Sequence, residues 1–307
     1  GSLGPKGTFR SDIVRRDYHD YYDLKKDLST GQVASPVNPA QKYDLGLIVN
    51  SNDYTRNYTG LHTQFAYRLS DRFSLGGVWT WSHLIGDIVG ETSGSGPTRG
   101  GLHAYPEYFD RKWSSPSGSL AADTRHRVRI YGTYDLAIPA SLGSLNLSAI
   151  QAWDTGTPYA AAGSIKTAAY VTNPGYLTPP ATVGYYFTAR DTYRLEDVYS
   201  TDLSLTYSYK IGGMVELYIT PQIYNIFNAQ HVIAVNTAVN TNYNSSSLAA
   251  FNPFTTANPV ECPQGQTLAQ CKAMGANWQK GADFGKPTAS TYYQNARTFQ
   301  VAVGVRF

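Results

Sequence analysis

The chain has 307 residues, of which 42% are hydrophobic, 13% aromatic and 15% charged, and its formal net charge is +3. So many aromatic residues and so few charges exclude a disordered chain, and the lack of a basic face argues against a nucleic-acid partner. No apolar run reaches the roughly 18 to 20 residues of a membrane-spanning helix. A mean hydropathy of −0.34 still allows a membrane β-barrel, because only alternate residues of its strands face lipid.

Eight long segments alternate between apolar and polar residues with a period of two, which predicts β-strands. In chain order they are residues 8–22, 54–69, 73–86, 125–138, 145–155, 199–211, 215–227 and 296–307. The clearest alternation lies at 199–211, where Leu203 and Tyr207 share one face while Asp202 and Thr206 share the other. The first segment has the weakest pattern.

The length of these segments separates a membrane strand from a soluble one. Twelve residues at roughly 3.3 Å each give about 40 Å, which a tilt near 45° reduces to about 28 Å, close to the hydrocarbon thickness of a bilayer. Soluble strands typically have ~5–6 residues. The connections also alternate: 70–72, 139–144 and 212–214 are short, whereas 23–53, 87–124, 156–198 and 233–295 are long.

These patterns predict an all-β fold: an antiparallel transmembrane β-barrel segment of about eight long strands, with short periplasmic turns and long extracellular loops. Gly1 and Phe307 are then both expected on the periplasmic side. Because the chain begins with Gly1 and not with Met, we expect it to be a piece of a longer or processed protein.

The polar face of the predicted strands carries charges that a lipid-facing surface would not tolerate. An Arg at mid-membrane on the lipid face costs ~2–4 kcal/mol, so these residues are expected to face the lumen, paired across the wall or with a plug. The charged residues are Arg127, Arg129, Asp202, Lys210 and Glu216, and the uncharged Gln222 is expected to face the lumen with them.

We find no residue pattern that predicts an enzyme. Asp123 and His126 lie near several serines, but no nucleophile elbow or other spaced motif frames them. Glu107, Asp110 and Asp123 lack the spacing of a calcium loop, so solvated loop acids are the expectation. No cofactor, catalytic residue or metal site is therefore predicted.

Cys262 and Cys271 are the two cysteines of the chain, and eight residues separate them. This spacing is compatible with a disulfide that closes a short loop in an oxidising compartment, with two free thiols as the alternative. Two thiols without a nearby His or further Cys make an incomplete zinc site.

Several local motifs together resemble a known family. They are NYTGL at 57–61 with YRLS at 67–70, FSLGGVWTWS at 73–82, RHRV at 125–128, DTGTPY at 154–159, YNIFN at 224–228 and FGKP at 284–287. Their order and spacing resemble the carboxy-terminal barrel half of TonB-dependent outer-membrane receptors of the Oar-like subfamily. The terminal Phe307, with Phe299 upstream, resembles the signal that the barrel-assembly machinery reads.

The resemblance implies a barrel of about 22 strands with an amino-terminal plug. Neither the plug nor a TonB box is recognisable, so residues 1–307 would be the carboxy-terminal portion of the barrel, without the plug and the amino-terminal strands. The implied function is to bind a solute through extracellular loops and to import it with TonB-supplied energy. The implied partners are lipid of the bacterial outer membrane, the TonB complex through the missing plug, the barrel-assembly machinery and an unidentified extracellular solute.

Two other functions fit the same strands. One is a self-contained eight-stranded barrel that acts as an adhesin or structural anchor, since eight strands can close by themselves. The other is an enzymatic barrel, which needs a Ser/His pair within hydrogen-bonding distance at its rim. A closed eight-stranded barrel requires the segment at 8–22 to pair with the segment at 296–307, so that pairing discriminates the first alternative.

Overall fold

An antiparallel sheet dominates the molecule, whose computed structural model describes residues 1–89, 100–212 and 214–307. Its long strands are β1 (Gly7–Asp17), β2 (Arg56–Arg68), β3 (Phe73–Gly86), β4 (His126–Leu136), β5 (Ser144–Asp154), β6 (Val198–Ile211), β7 (Val215–Tyr224) and β8 (Thr298–Arg306). Each long strand pairs with the next one along the chain, and a short ninth strand, Gly118–Ser119, pairs with the end of β3. The predicted all-β, antiparallel architecture is confirmed.

The strand register places apolar residues on one face of the sheet. One row of successive partners across β3 to β8 consists of Leu75, Gly132, Ala149, Leu203, Ile223 and Phe299. The adjacent row, which faces the other way, consists of Ser74, Thr133, Ser148, Ser204, Gln222 and Gln300. The two sides are called the apolar face and the polar face below.

Two strands end three or more residues earlier than the alternation predicts, and in both cases the backbone gives the reason. The predicted segment 8–22 breaks after Asp17, because Asp20 adopts a left-handed conformation with φ 59°; the strand Tyr21–Lys25 then pairs elsewhere, with Leu47–Ser51. The predicted segment 215–227 ends at Tyr224, because Asn225 has φ 50°. Gly213, predicted to lie in the tight turn between β6 and β7, is outside the described residues.

Four long loops leave one end of the sheet: loop 1 (18–55), loop 2 (87–125), loop 3 (155–197) and loop 4 (225–297). They contain short strands of their own, Tyr21–Lys25, Gln32–Ala34, Lys42–Asp44, Leu47–Ser51, Gly118–Ser119, Pro158–Tyr159, Ala162–Lys166, Thr182–Tyr186, Tyr193–Arg194, Val239–Thr241, Glu261–Cys262 and Trp278–Lys280. We call this end of the sheet the loop end and the opposite end the turn end.

The helices are short. The α-helices are α1 (Arg111–Ser114) and α2 (Leu268–Ala273), and the 3-10 helices are Gly4–Lys6, Ala140–Leu142, Thr167–Ala169 and Ser290–Tyr292. Across the described ranges, every helix is too short and too polar to span a bilayer.

The buried apolar core lies in the loops and not in the sheet. Among the described residues, Leu84 is the single buried hydrophobic residue that belongs to a long strand. Both faces of the sheet are largely uncovered by the chain, and Val303 on the apolar face is 74% exposed. Such an exposed apolar face suits a hydrocarbon environment, where it does not need a protein layer to cover it.

The two edges of the main sheet, β1 and β8, are not joined by any ladder within the described part of the chain. Residues 1–3 turn back at the 3-10 helix Gly4–Lys6 and run antiparallel to β1 on its outer edge. The amide of Phe9 donates to the Gly1 carbonyl and the amide of Leu3 donates to the Gly7 carbonyl, both at 2.8 Å, and Ser2 bridges to Thr8. A short hairpin therefore precedes β1.

Candidate functional site

Loops 2, 3 and 4 form one compact cap, because their aromatic side chains share a core. The largest cluster consists of Tyr108, Trp113, Ile165, Tyr176, Val183, Tyr185 and Phe251. The Trp113 ring stacks on Tyr185 at 5.4 Å, and Phe187 stacks on Trp278 at 4.8 Å. Pairs of this kind add about 0.5–1.5 kcal/mol each beyond the area that they bury, so the three loops hold one another in place.

Loop 1 joins the cap through a buried carboxylate. Asp44, which is 8% exposed, accepts the backbone N–H of Leu177 and that of Thr178 at 2.9 Å each, and the Thr178 hydroxyl at 3.0 Å. Burial raises the pKa of Asp44, but these hydrogen bonds and the nearby Lys26 outweigh it, so the pKa lies below its ordinary value. The carboxylate thus links loop 1 to loop 3.

A second buried acid lies where loop 1 meets loop 2. Asp23 is fully buried and contacts His103 Nδ1, while His103 Nε2 lies 3.1 Å from Asp53. The Tyr54 hydroxyl donates to Asp23 at 2.8 Å and accepts the amide of Leu102 at 2.7 Å. Desolvation raises the pKa of Tyr54, and the hydrogen bond to Asp23 raises it further, so the phenol stays protonated and keeps donating.

Arginine–aspartate contacts fasten the cap to the loop end of the sheet. Asp123, fully buried just before β4, accepts from Arg194 at 2.9 Å, from Arg125 at 3.2 Å and from the Leu84 amide at 2.8 Å. Asp87, buried just after β3, pairs with Arg111. Buried carboxylates require such partners, since an unpaired buried charge is strongly destabilising.

Three of the motifs quoted above meet at this same end of the sheet. In RHRV and DTGTPY, the His126 amide donates to the Thr155 hydroxyl at 2.9 Å. In YNIFN, the Asn225 amide donates to Asp202 at 2.7 Å and its side chain donates to the Asn295 carbonyl at 3.0 Å. A Cβ on Gly156 would lie 1.9 Å from a backbone oxygen of loop 3, so only glycine fits there. These motifs fix strand ends against loops.

A cavity of about 480 Å³ opens in the cap between loops 1, 2 and 3. Its described lining is mostly apolar, aromatic or glycine, with a few hydroxyl groups: Tyr54, Ile88, Val89, Gly100, Gly101, Leu102, Tyr105, Phe109, Ser114, Ser115, Pro180, Thr182, Val183 and Gly184. Tyr105 adopts φ 54°, which is rare for a residue with a side chain. An apolar cavity of this size with a few polar groups is typical of a small-molecule site.

Several further cavities lie on the polar face of the sheet, among them two along β5 to β8. One, of about 400 Å³, lies near the loop end and includes Ser200, Asp202 and Tyr224; the other, of about 220 Å³, continues along the same strands and includes Ser148 and Ser204. Asp202 and Tyr224 line both cavities, so the two form one groove along β5 to β8.

The predicted lumen charges occupy the polar face and several are paired within the wall. Both guanidinium Nη atoms of Arg129 donate to Asp154, at 2.8 and 2.7 Å, and Arg127 lies 3.3 Å from the same carboxylate. Glu216 lies 3.6 Å from Arg306. Lys210 lies opposite Glu216 in the register, and Gln222 lies opposite Ser204.

His126 and Asp123, considered above for catalysis, are both held by contacts within the fold. His126 lies on the apolar face between Trp79 and Trp153, with ring planes within 8° of each other on both sides, and Trp79 Nε1 donates to its Nδ1 at 3.2 Å. The expectation of a solvated acid is wrong for Asp123, which is fully buried and paired with Arg125 and Arg194. Within the described ranges, no group of three His, Cys, Asp or Glu residues could hold a metal ion.

Cys262 and Cys271 form a disulfide in loop 4, with both residues fully buried. They pack with Leu248 and Ala276 as a small core of their own.

Phe299 lies opposite Ile223 on the apolar face, and Phe307 is fully exposed after β8.

The sequence did not predict the cap cavity or the acids Asp23 and Asp44. One usable signal was the segment 105–113, where four of nine residues are aromatic; such density in a loop is typical of a folded loop with its own core. No local signal identifies Asp44, because its partners lie 133 and 134 residues further along the chain.

Comparison with known proteins identifies a family model and a solved structure that align with this chain. Residues 14–169, half of the chain, match the family model described as an outer membrane beta barrel domain. The structure of the outer-membrane transporter YddB from Escherichia coli aligns over 76% of this chain with a TM-score of 0.45 and 11% identity. That alignment spans 28% of the transporter's own chain. No curated protein matches the sequence.

Proposed function

Because the chain belongs to the outer membrane beta barrel domain family and is a protein of the bacterial outer membrane, we propose that it is the carboxy-terminal part of a TonB-dependent receptor of the Oar-like subfamily. It binds a solute through its cap and imports it with TonB-supplied energy. The apolar face contacts outer-membrane lipid, the polar face lines the lumen, and the long loops lie outside the cell.

The open sheet is the observation that carries this proposal. Across the described residues, β1 and β8 are not paired with each other, and backbone groups on an open edge cannot remain unpaired in lipid. Residues 1–3 already occupy the outer edge of β1 through two backbone hydrogen bonds, as the end of a preceding strand would. Gly4–Lys6 is then another short periplasmic turn. Both features support a larger barrel and disfavour a closed eight-stranded anchor.

In this proposal each element has a role in import. The cap provides the outer binding surface, because its loops are held together by a core and can present a fixed cavity. The groove on the polar face lines the route of the solute or contacts the plug, through which TonB would act. Phe299 and Phe307 would serve the barrel-assembly machinery. No residue is assigned a catalytic role, and no cofactor or metal is required.

Genetics tests the import function without knowledge of the solute. Strains that lack either this gene or TonB are grown on panels of single carbon, nitrogen, metal and vitamin sources. We expect at least one source on which both strains grow poorly and on which the reintroduced gene restores growth of the first strain. If the two strains share no defect over the whole panel, import by this protein is refuted.

Cysteine cross-linking tests the architecture. Pairs are introduced along the edges of β1 and β8, at Ser11 or Ile13 together with Val301 or Val303, in the full chain in its membrane. The proposal expects no disulfide between β1 and β8 of one molecule at any register. A bond between them would establish a closed eight-stranded barrel and would favour the adhesin or anchor function.

A further inference from the structure

The described residues that line the cap cavity carry no ionised side chain. Among the described residues that form it, the polar groups are hydroxyls, such as those of Ser114, Ser115 and Thr182, and the backbone of glycines. The remaining surface is apolar or aromatic. A charged group that leaves water for such a cavity loses several kcal/mol of hydration, of the order reported for buried ions, and nothing in the described lining repays it with an opposite charge.

Several described charges near the cavity have partners within the protein. Asp87 pairs with Arg111, and Asp23 contacts His103. Arg190 donates to the carbonyls of Pro116 and Asp87 at 2.8 and 3.0 Å.

Lys26 lies 5.3 Å from the centre of the Tyr105 ring and lowers the pKa of Asp44. The cation therefore already has an aromatic face and a carboxylate near it, and it is not among the residues that line the cavity.

A row of uncharged side chains crosses the polar face of the sheet. The successive register partners in β3 to β8 are Ser74, Thr133, Ser148, Ser204, Gln222 and Gln300. Hydroxyl and amide groups can donate and accept hydrogen bonds but cannot compensate a net charge. The acid of β6, Asp202, accepts the Asn225 amide. Charged residues of the polar face such as Arg129, Lys210 and Glu216 lie outside this row, so the row, and not the whole wall, has the chemistry of the cap.

We propose that the solute is an uncharged molecule with a flat apolar or aromatic part and several hydroxyl or amide groups, and that the cap cavity binds its flat part. This inference rests on the proposed import function, which it refines. It separates such a solute from anionic chelates, phosphates and carboxylates, for which the described lining supplies no basic side chain as a charged partner.

Matched pairs of small probes test the proposal on the full chain in detergent micelles. Each pair differs by one charge: phenyl β-D-glucopyranoside with phenyl β-D-glucuronide, benzamide with benzoate, and N-acetyltyrosinamide with N-acetyltyrosine. Binding is measured at pH 7 by saturation-transfer NMR. We expect the neutral member of each binding pair to bind at least about tenfold more tightly, a difference of about 1.4 kcal/mol.

Gly184→Trp locates the binding in the cavity. A Cβ at Gly184 would meet no atom within 4 Å, so the indole can enter the cavity without displacing the backbone. The matched control is Val37→Trp, at a loop-1 position that is 92% exposed and outside the cavity lining. We expect Gly184→Trp to abolish binding of the neutral probes and the control to leave it unchanged, with both variants keeping the wild-type circular dichroism.

The outcomes separate this inference from the import function. Equal or tighter binding of the charged members, still lost in Gly184→Trp, would overturn the neutral-solute assignment and leave the cap as a binding site. If no probe binds, or if Gly184→Trp does not change binding, the cavity is not the site. Neither result affects the shared growth defect of the two deletion strains, which tests import alone.

Discussion

Replacing Asp44 with asparagine should release loop 1 from the cap. The carboxylate accepts three hydrogen bonds from Leu177 and Thr178, and a hydrogen bond to a charged group contributes about 1.5–3 kcal/mol. Asparagine keeps one accepting oxygen, but its NH₂ group replaces the other and faces at least one of these N–H or O–H donors. Allowing for the contacts that remain, we expect the docking of loop 1 to lose about 2 kcal/mol, or about 30-fold in its equilibrium constant.

Hydrogen exchange at the two donating amides measures this loss directly. The amides of Leu177 and Thr178 should exchange about 30-fold faster in Asp44→Asn than in the wild type at pH 7. The matched control is Asp71→Asn, whose carboxylate is fully exposed in the turn between β2 and β3. Unchanged exchange at residues 177 and 178 in Asp44→Asn would refute the link between loops 1 and 3.

The same contact should depend on pH. The pKa of folded Asp44 lies below its ordinary value of 3.8, so its stabilising contribution is complete above that value and disappears as the pH falls through the folded pKa. Protection of the two amides, corrected for intrinsic exchange rates, should therefore be constant between pH 7 and about pH 5. At pH values below about 4 it should decrease in the wild type but not in Asp44→Asn.

Three further changes test other parts of the molecule. Gly86→Ala should destabilise the loop end of the sheet by about 1–3 kcal/mol in urea unfolding, because the new Cβ would lie 2.2 Å from the backbone oxygen of Thr55. Val303→Arg should impair membrane insertion by about 2–4 kcal/mol, whereas Ala302→Arg, on the polar face, should be tolerated. Cys271→Ser should lower the stability of loop 4 by about 2–3 kcal/mol and accelerate proteolysis within residues 261–280.

Each of these changes has a control or a contrary result. Gly101→Ala places its Cβ in open space and should unfold like the wild type. Equal insertion of the arginine variants at positions 302 and 303 would contradict the assignment of the two faces. If reduction of the wild type leaves the proteolysis of loop 4 unchanged, the disulfide does not stabilise that loop.

The long strands could be predicted because each of their faces meets a different medium over its whole length. The alternation of apolar residues such as Leu203 with polar residues such as Thr206 follows directly from that difference. The predicted segment 73–86 therefore has the same first and last residue as β3. Strand ends were less predictable, since they depend on backbone conformations at Asp20 and Asn225 that several residue types can adopt.

The cap could not be predicted in the same way. Its core brings together residues such as Trp113, Tyr185 and Phe251, which come from three loops and follow no period. Asp123 illustrates the difficulty. Two residues before Arg125 in the sequence, it resembles an ordinary surface acid, but in the fold it is buried and paired with Arg194 from another loop. Contacts between distant segments leave no local pattern in a single sequence.

The shared core of loops 2, 3 and 4 has a consequence for recognition of the bacterium from outside. On the proposed orientation, a phage tail protein or an antibody meets a surface whose neighbouring residues come from different loops, such as Tyr105 of loop 2 beside Thr178 of loop 3. That surface exists only while the core of Trp113 and Tyr185 is packed. Synthetic peptides that copy single loops should therefore be poor immunogens against the intact cell, and a single cavity-forming substitution in the core should abolish binding of antibodies raised against the folded protein.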